Sequence, residues 1–101
     1  MDKSDLITLE APTSKKDALG QLIPSGKVER EIFCCVKNVT RAEWANAAQQ
    51  GLKAAYCVTL WADEYNGETI AILNGKRYAI YRTYQPNSED IELYLEQRAG
   101  V

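Results

Sequence analysis

Most of this chain alternates apolar and polar residues in short runs, and one segment, Thr40–Gly51, breaks the alternation. A period of two is typical of β-strands with one buried face, whereas apolar residues three and four positions apart indicate a helix. A chain of 101 residues has room for one hydrophobic core. The sequence therefore predicts a single domain over residues 1–101, mainly β, with one short inserted helix.

The start and end of the helix are marked by local signals. Thr40 and Glu43 have the spacing of a capping box, in which each side chain binds a free backbone N–H at the start of a helix. Gly51 suits the left-handed position after the last turn. The apolar stripe between them is narrow and consists of Trp44, Ala47 and Ala48. A helix of about three turns with so thin a stripe needs support from the rest of the fold.

Six strands are predicted from the alternation: Leu6–Leu9, Val28–Val39, Ala54–Ala62, Thr69–Leu73, Lys76–Thr83 and Asp90–Glu96. Asn74-Gly75 predicts a tight hairpin between the fourth and fifth strands, because a type I′ turn needs two positive φ angles. Residues 11–27 are rich in Gly, Pro and Ser, which predicts a long mobile loop. Residues 98–101 are expected to fray. Six short strands with hairpin turns favour a small antiparallel barrel or sandwich.

The residues that usually carry chemistry are missing or scattered. Without histidine, the chain lacks the usual general base and the imidazole metal ligands. It contains no Gly-rich nucleotide motif, and Cys34, Cys35 and Cys57 have no metal-site spacing. We expect these cysteines to be buried small hydrophobes. The sequence thus favours a protein that is not an enzyme, with no catalytic residue, cofactor or metal.

Charge and hydropathy limit the location and partners. The net charge of -2 offers no basic field that would attract nucleic acid. The N-terminus lacks the apolar core of a secretory signal, and no apolar run approaches the length that spans a bilayer. We therefore expect a protein made in a cytoplasm, soluble, and without a membrane partner.

Several charged or aromatic groups have both a functional and a structural interpretation. The pairs Asp63-Glu64 and Glu89-Asp90 could serve glycoside chemistry if they faced each other, but solvated turn charges are the simpler interpretation. Trp61 is expected in the core, whereas Trp44 either anchors its helix or contacts a partner.

A basic aromatic strand surface could stack the bases of single-stranded nucleic acid. On this strand Lys76, Arg77 and Arg82 are interleaved with Tyr78, Tyr81 and Tyr84. The residues predicted as a possible interface are Lys76, Arg77, Tyr78, Tyr81 and Tyr94. The carboxylates of Glu92 and Glu96, on the next strand, are the expected cross-strand partners of these cations.

The order of elements and several strings resemble the head-closure (head–tail joining, or stopper) proteins of long-tailed phages. The strings lie in the opening strand Asp5–Leu9, in Asp17-x-x-Gly20-Gln21, in Glu43-Trp44 followed by Ala48-Gln49-Gln50, and in 70–78 around Asn74-Gly75. This resemblance implies a small β-barrel that forms a twelve-subunit ring beneath the portal and adaptor rings. Such a ring closes the DNA exit channel of the filled capsid and presents the docking surface for the tail.

The resemblance also implies a location and a moving part. It places the protein at the head–tail interface of the virion, in transient contact with packaged DNA, and in the host or lysogen cytoplasm during assembly. Its partners would be the portal or adaptor ring and a tail-joining protein, and the isolated chain is expected to be a monomer. The segment 38–54 would face the channel, and its candidate gating residues are Thr40, Arg41, Glu43, Trp44, Asn46, Gln49, Gln50 and Lys53.

Two other functions stay open at this point. Small β-barrels recur on both sides of the head–tail junction, so a tail-side joining or tail-completion protein is the first alternative. A barrel that binds single-stranded nucleic acid through the basic aromatic strand is the second.

Overall fold

The alternating segments close into one antiparallel β-barrel in a computed structural model that describes residues 3–98. The strands are β1 (Asp5–Lys16), β2 (Leu22–Asn38), β3 (Lys53–Trp61), β4 (Ile70–Leu73), β5 (Lys76–Tyr84) and β6 (Asp90–Gln97). They follow the order β1-β2-β3-β6-β5-β4 around the barrel. A single helix, α1 (Arg41–Gln49), lies between β2 and β3, and a short 3-10 turn spans Ala62–Glu64. The predicted six-stranded barrel with one helix between strands 2 and 3 is confirmed.

Every second side chain of the strands points into the barrel and fills it. The buried cluster is Ile7, Leu9, Ile32, Cys34, Val58, Leu60, Ala71, Leu73, Tyr78, Ile91, Leu93 and Leu95. These residues come from all six strands, so closing the sheet buries the apolar face of each strand at once. Where the six strands close the barrel, closure also removes the free sheet edges that would otherwise pair with another chain.

The strand register defines two ends of the barrel. Trp61 pairs with Asp90 at one end, and Lys53 pairs with Gln97 at the other. We call the first the arm end, because β1 and β2 continue beyond it. None of the helical segments within residues 3–98 has the length and apolar content needed to span a membrane.

The predicted loop over residues 11–27 is wrong, because this stretch is a β-hairpin. Its two strands pair antiparallel from Ala11 opposite Val28 to Lys16 opposite Leu22, with a bulge after Thr13. Pro12 lies where β1 has no neighbour on its other edge, since β1 pairs with β4 only at residues 8–10. A strand tolerates proline at such an edge. The Gly, Pro and Ser content that predicts a loop is therefore compatible with a β-hairpin here. We call residues 11–28 the arm; the molecule measures 50 × 30 × 26 Å with it.

The other turns follow the sequence more closely. Asn74 has φ 52° and Gly75 has φ 78°, which confirms the predicted two-residue hairpin between β4 and β5. At the tip of the arm, an Asp17 carboxylate oxygen accepts the N–H groups of Leu19 and Gln21, both at 2.9 Å. Of the predicted frayed tail, residues 99–101 lie outside the described residues.

Candidate functional site: the helix α1 and its contacts with the barrel

The ends of α1 are built as its sequence indicates. The Thr40 hydroxyl accepts the N–H of Glu43 at 3.2 Å. At the other end, Gly51 has φ 79°, and the N–H of Leu52 donates to the carbonyl of Ala47 at 2.9 Å. This is the bond pattern of a Schellman motif, which satisfies the last carbonyls of a helix. Both predicted boundaries are therefore confirmed to within one or two residues.

The predicted apolar stripe of α1 is wrong. Only Ala47 is buried, at 2% exposure, whereas Trp44 is 57% exposed and Ala48 is also exposed. The face turned to the barrel contains Glu43 and Ala47, which lie one turn apart. The helix therefore packs on the barrel through one small apolar side chain and one carboxylate, and it leaves its tryptophan in solvent.

A cluster of polar contacts fixes the helix through Glu43. The Tyr81 hydroxyl donates to the Glu43 carboxylate at 2.6 Å, and the Arg82 guanidinium forms an ion pair with the same group. Arg82 also lies over the ring of Tyr94, 3.9 Å from its centroid. We call Glu43, Tyr81, Arg82 and Tyr94 the Glu43 cluster. It joins α1 to β5 and β6.

A β-bulge explains how two consecutive residues of β5 reach one carboxylate. The register of β5 against β6 shifts between Ile80 and Arg82. Such a bulge places two residues opposite one and redirects a side chain that would otherwise point to the opposite face. Because Tyr81 and Arg82 take up the Glu43 carboxylate, it does not bind the N–H of Thr40, and only the Thr40 half of the predicted capping box forms.

The charges in the cluster stabilise one protonation state. The hydrogen bond from Arg82 lowers the pKa of Glu43 below 4.5, with a smaller contribution in the same direction from Tyr81 and an opposing one from burial. Burial and the hydrogen bond to Glu43 raise the pKa of Tyr81 above 10.0. At neutral pH, Glu43 is thus a carboxylate and Tyr81 a neutral donor, which is the arrangement that both hydrogen bonds require.

The remaining candidate gating residues lie on two surfaces. Asn46, Gln49 and Gln50 line a polar cavity of about 320 Å³ between α1 and β5. Arg41 and Trp44 border an open depression of about 650 Å³ on the solvent side of the helix. Lys53, the last of the candidates, is not part of the helix surface. It begins β3 and lies with Lys76, Arg77, Gln97 and Arg98 at the end of the barrel opposite the arm.

The five candidate interface residues do not form one surface, so this prediction is wrong. Tyr78 is a core residue, 4% exposed, whose ring makes an edge contact with Tyr56. Arg77 binds the buried carboxylate of Glu10 through two hydrogen bonds of 2.6 and 3.0 Å. Tyr81 and Tyr94 belong to the Glu43 cluster, and only Lys76 stays exposed without a carboxylate partner among residues 3–98.

The predicted partners of the β5 cations are also wrong. Glu92 accepts the Tyr94 hydroxyl at 2.8 Å and lies 3.9 Å from Lys37, and Glu96 pairs with Arg98. The two arginines of β5 instead bind Glu10, on β1, and Glu43, on α1. Both acids are far from Arg77 and Arg82 in sequence, so no short-range pattern could indicate these pairs.

Trp61, predicted in the core, is 43% exposed at the arm end of the barrel. The Lys3 ammonium lies 3.7 Å from the centroid of its ring and 2.8 Å from the Asp90 carboxylate. Of the two acidic pairs, Asp63-Glu64 lies in the 3-10 turn and Glu89 in the turn before β6, as predicted, whereas Asp90 begins β6 and is paired with Lys3. Asp63, Glu64 and Glu89 border a depression of about 450 Å³ beside this tryptophan.

Buried carboxylates are a feature that the sequence analysis missed. Glu68 is 4% exposed and accepts the Nε–H of Arg30 at 2.9 Å, while Arg30 also donates to the carbonyl of Glu64 at 2.6 Å. These bonds connect the base of the arm to the segment after β3. Their only sequence signal is an arginine within an otherwise apolar inward-facing row of β2.

Metal-ligating side chains do not assemble into a site. Within residues 3–98, no three His, Cys, Asp or Glu side chains come together as ligands for one ion. Cys34 and Cys57 are buried, Cys35 is half-buried, and all three are free thiols. Burial raises the pKa of Cys34 to about 11, so this thiol stays protonated at neutral pH.

A comparison of the sequence with protein families and with curated proteins finds no match.

Proposed function

We propose that this protein is a structural component of a phage head–tail connector, a head-closure protein that docks beneath the portal and adaptor rings. In this role it closes the DNA exit channel, provides the attachment surface for the tail and catalyses no reaction. The observation that carries the proposal is the single helix between β2 and β3 of a closed six-stranded barrel. That is the place where the resemblance in sequence puts the channel-closing segment.

The packing of α1 supports a moving part. Nine helical residues are too few to stay helical alone. Ala47 is the one buried residue of the helix, and Glu43 adds a hydrogen bond from Tyr81 and an ion pair with Arg82. A segment held by so few contacts can change its conformation at low cost. We infer that the segment 38–54 lies at the channel and rearranges when the channel opens.

The charge distribution is consistent with a channel that must release DNA. The chain carries a net charge of -2, and α1 exposes amide side chains at Asn46, Gln49 and Gln50. Amides contact phosphates without the counterion release that makes binding to polyanions tight. Contact with packaged DNA would therefore be transient.

The nucleic-acid alternative loses its main support. Stacking on bases needs exposed aromatic side chains, but Tyr78 is in the core and the Tyr81 hydroxyl is bound to Glu43.

Reconstitution tests the proposal directly. The purified chain is mixed with portal–adaptor rings of the same phage and examined by electron cryomicroscopy. We expect a ring of twelve copies under the adaptor that narrows the channel, and failure to bind the cognate rings would contradict the proposal.

A null mutant adds a test in the phage. Heads that lose their packaged DNA are the expected result. Stable full heads without tails would instead assign the protein to the tail side of the junction.

A further inference from the structure

The arm exposes apolar side chains that nothing in the described chain covers. Leu19 is 84% exposed and Leu22 is 69% exposed, both near the tip. The arm is a two-stranded ribbon, because β1 pairs with β4 only at residues 8–10 and β2 pairs with β3 only at residues 35–38. Such a ribbon is marginal by itself, and clustered exposed apolar side chains indicate a binding surface.

The edges of the arm are unsuited to accept another strand. Pro12 and Pro24 lie on its two strands, and a bulge separates Thr13 from Ser14 in the register. Prolines and bulges are devices that prevent pairing between sheet edges. A partner therefore contacts the arm through its side chains. At the tip these include Lys15 and Lys16, which have no carboxylate partner among residues 3–98.

The depression beside Trp61 has the complementary chemistry. It combines the exposed indole with the carboxylates of Asp63, Glu64 and Glu89, none of which forms an ion pair within the described residues. Lys3 is an example of the group that fits this surface, because its ammonium contacts both the Trp61 ring and the carboxylate of the neighbouring Asp90. A lysine and an apolar side chain together would match the rest of it.

We propose that the tip of the arm, Lys15, Lys16, Leu19 and Leu22, binds the Trp61 depression of a second copy of this chain. The arm cannot reach its own depression. Arg30 fixes its base beside Glu64, and about six paired residues at ~3.3 Å each place the tip roughly 20 Å away. Tip and depression are different surfaces, so the contact is head-to-tail and generates a ring or a chain of copies.

This contact adds a subunit interface to the proposed function without depending on it. It can be tested on the isolated protein, with no portal or adaptor present, so either proposal can fail alone. The interface is small, and we expect association to be weak and reversible. Sedimentation velocity over a concentration series should show monomers in dilute solution and a rising average mass at high concentration.

Charge reversal separates this contact from nonspecific association. Each of the variants K15E/K16E and D63K/E89K should weaken self-association about tenfold or more, because attraction between the surfaces becomes repulsion. A mixture of the two retains one native tip and one native depression. The acidic tip of K15E/K16E also faces the basic depression of D63K/E89K, so both contacts between the two variants are attractive. The equimolar mixture should therefore associate at concentrations at which each variant alone stays monomeric.

The matched control is K53E/K76E, which changes the net charge as much as K15E/K16E but at the opposite end of the barrel. It should associate like the wild type. A wild-type protein that stays monomeric at the highest concentration would overturn the proposal. An equal loss in the control, or a mixture that associates no better than either variant alone, would also overturn it.

Discussion

The helix α1 and the arm both leave the wall of the barrel, but the barrel holds them in different ways. The arm continues the hydrogen-bonded ladder of β1 and β2 without interruption except for one bulge, and Arg30 fixes its base through Glu64 and Glu68. The helix shares no ladder with the barrel. A few side-chain contacts around Glu43 and Ala47 hold it in place. The arm is thus suited to extend towards a partner, and the helix is suited to detach from the barrel.

The largest expected effect is at the base of the arm. Arg30→Ala leaves the Glu68 carboxylate, 4% exposed, without its cation. A fully buried pair broken in this way costs about 3–5 kcal/mol. Because the Arg30 side chain is 33% exposed, we expect the free energy of unfolding to fall by about 2 kcal/mol. Urea denaturation measures this loss.

A matched change beside Arg30 controls for loss of charge. Glu29→Ala removes an exposed carboxylate that lies 3.3 Å from Lys27, and it should change the free energy of unfolding by less than about 0.5 kcal/mol. If Arg30→Ala were equally mild, the arm would not be anchored through this pair.

The second effect concerns the helix alone. Glu43→Ala removes the hydrogen bonds to Tyr81 and Arg82, which should lower the free energy of opening α1 by about 1–2 kcal/mol. Amide hydrogens of α1 should then exchange about tenfold faster, while those of the barrel keep their rates.

The control for this change lies on the same helix. Gln49→Ala truncates an exposed side chain and should leave the exchange rates nearly unchanged. If Glu43→Ala accelerated exchange equally in the helix and the barrel, α1 would be part of the cooperative core.

A third prediction applies one substitution to both regions. Gly51 follows α1 and Gly20 lies in the tip of the arm; both have φ near +80° and open space around the Cα. Alanine in either place should cost about 1 kcal/mol through backbone strain alone. In hydrogen exchange, Gly51→Ala should lower the protection of amide hydrogens in the helix only, and Gly20→Ala should lower it at the tip of the arm only. A shared pattern would mean that the two regions open together.

The smallest effect is a pH dependence of the helix. Since the folded pKa of Glu43 lies below 4.5, the opened helix binds a proton more readily than the docked one. Stabilisation by Glu43 is therefore complete above about pH 4.5 and is lost as the pH falls through the folded pKa. Opening of α1 should become easier in that acid range, and Glu43→Gln should remove this dependence. An unchanged slope in Glu43→Gln would assign the effect to another group.

The two regions also differ in how far the sequence could predict them. The ends of α1 depend on residues within four positions of each other, such as Thr40 with Glu43, and both were predicted. Its orientation depends on Arg82, some forty residues away, and on a bulge in β5. No local pattern encodes that contact, so the sequence predicts a stripe of Trp44, Ala47 and Ala48, of which only Ala47 is buried.

The arm was missed for a different physical reason. Gly, Pro and Ser usually indicate loops because they disrupt regular pairing, but a free edge tolerates proline and a bulge absorbs an extra residue. Its apolar side chains also lack a buried face, so their alternation carried no signal. The inward rows of the barrel, by contrast, bury every second residue. The predicted bounds of β3, β4, β5 and β6 agree with the structure to within one residue, and those of β1 and β2 lack only the arm.

Native-state hydrogen exchange of the wild-type protein tests the central claim that α1 opens independently of the barrel. The account predicts that amide hydrogens of residues 44–50 exchange through a local opening, with a free energy well below that of global unfolding and insensitive to low urea. Amide hydrogens of β3 and β6 should exchange only with global unfolding. Exchange of α1 at the free energy of global unfolding, with the same urea dependence as the barrel, would contradict the claim.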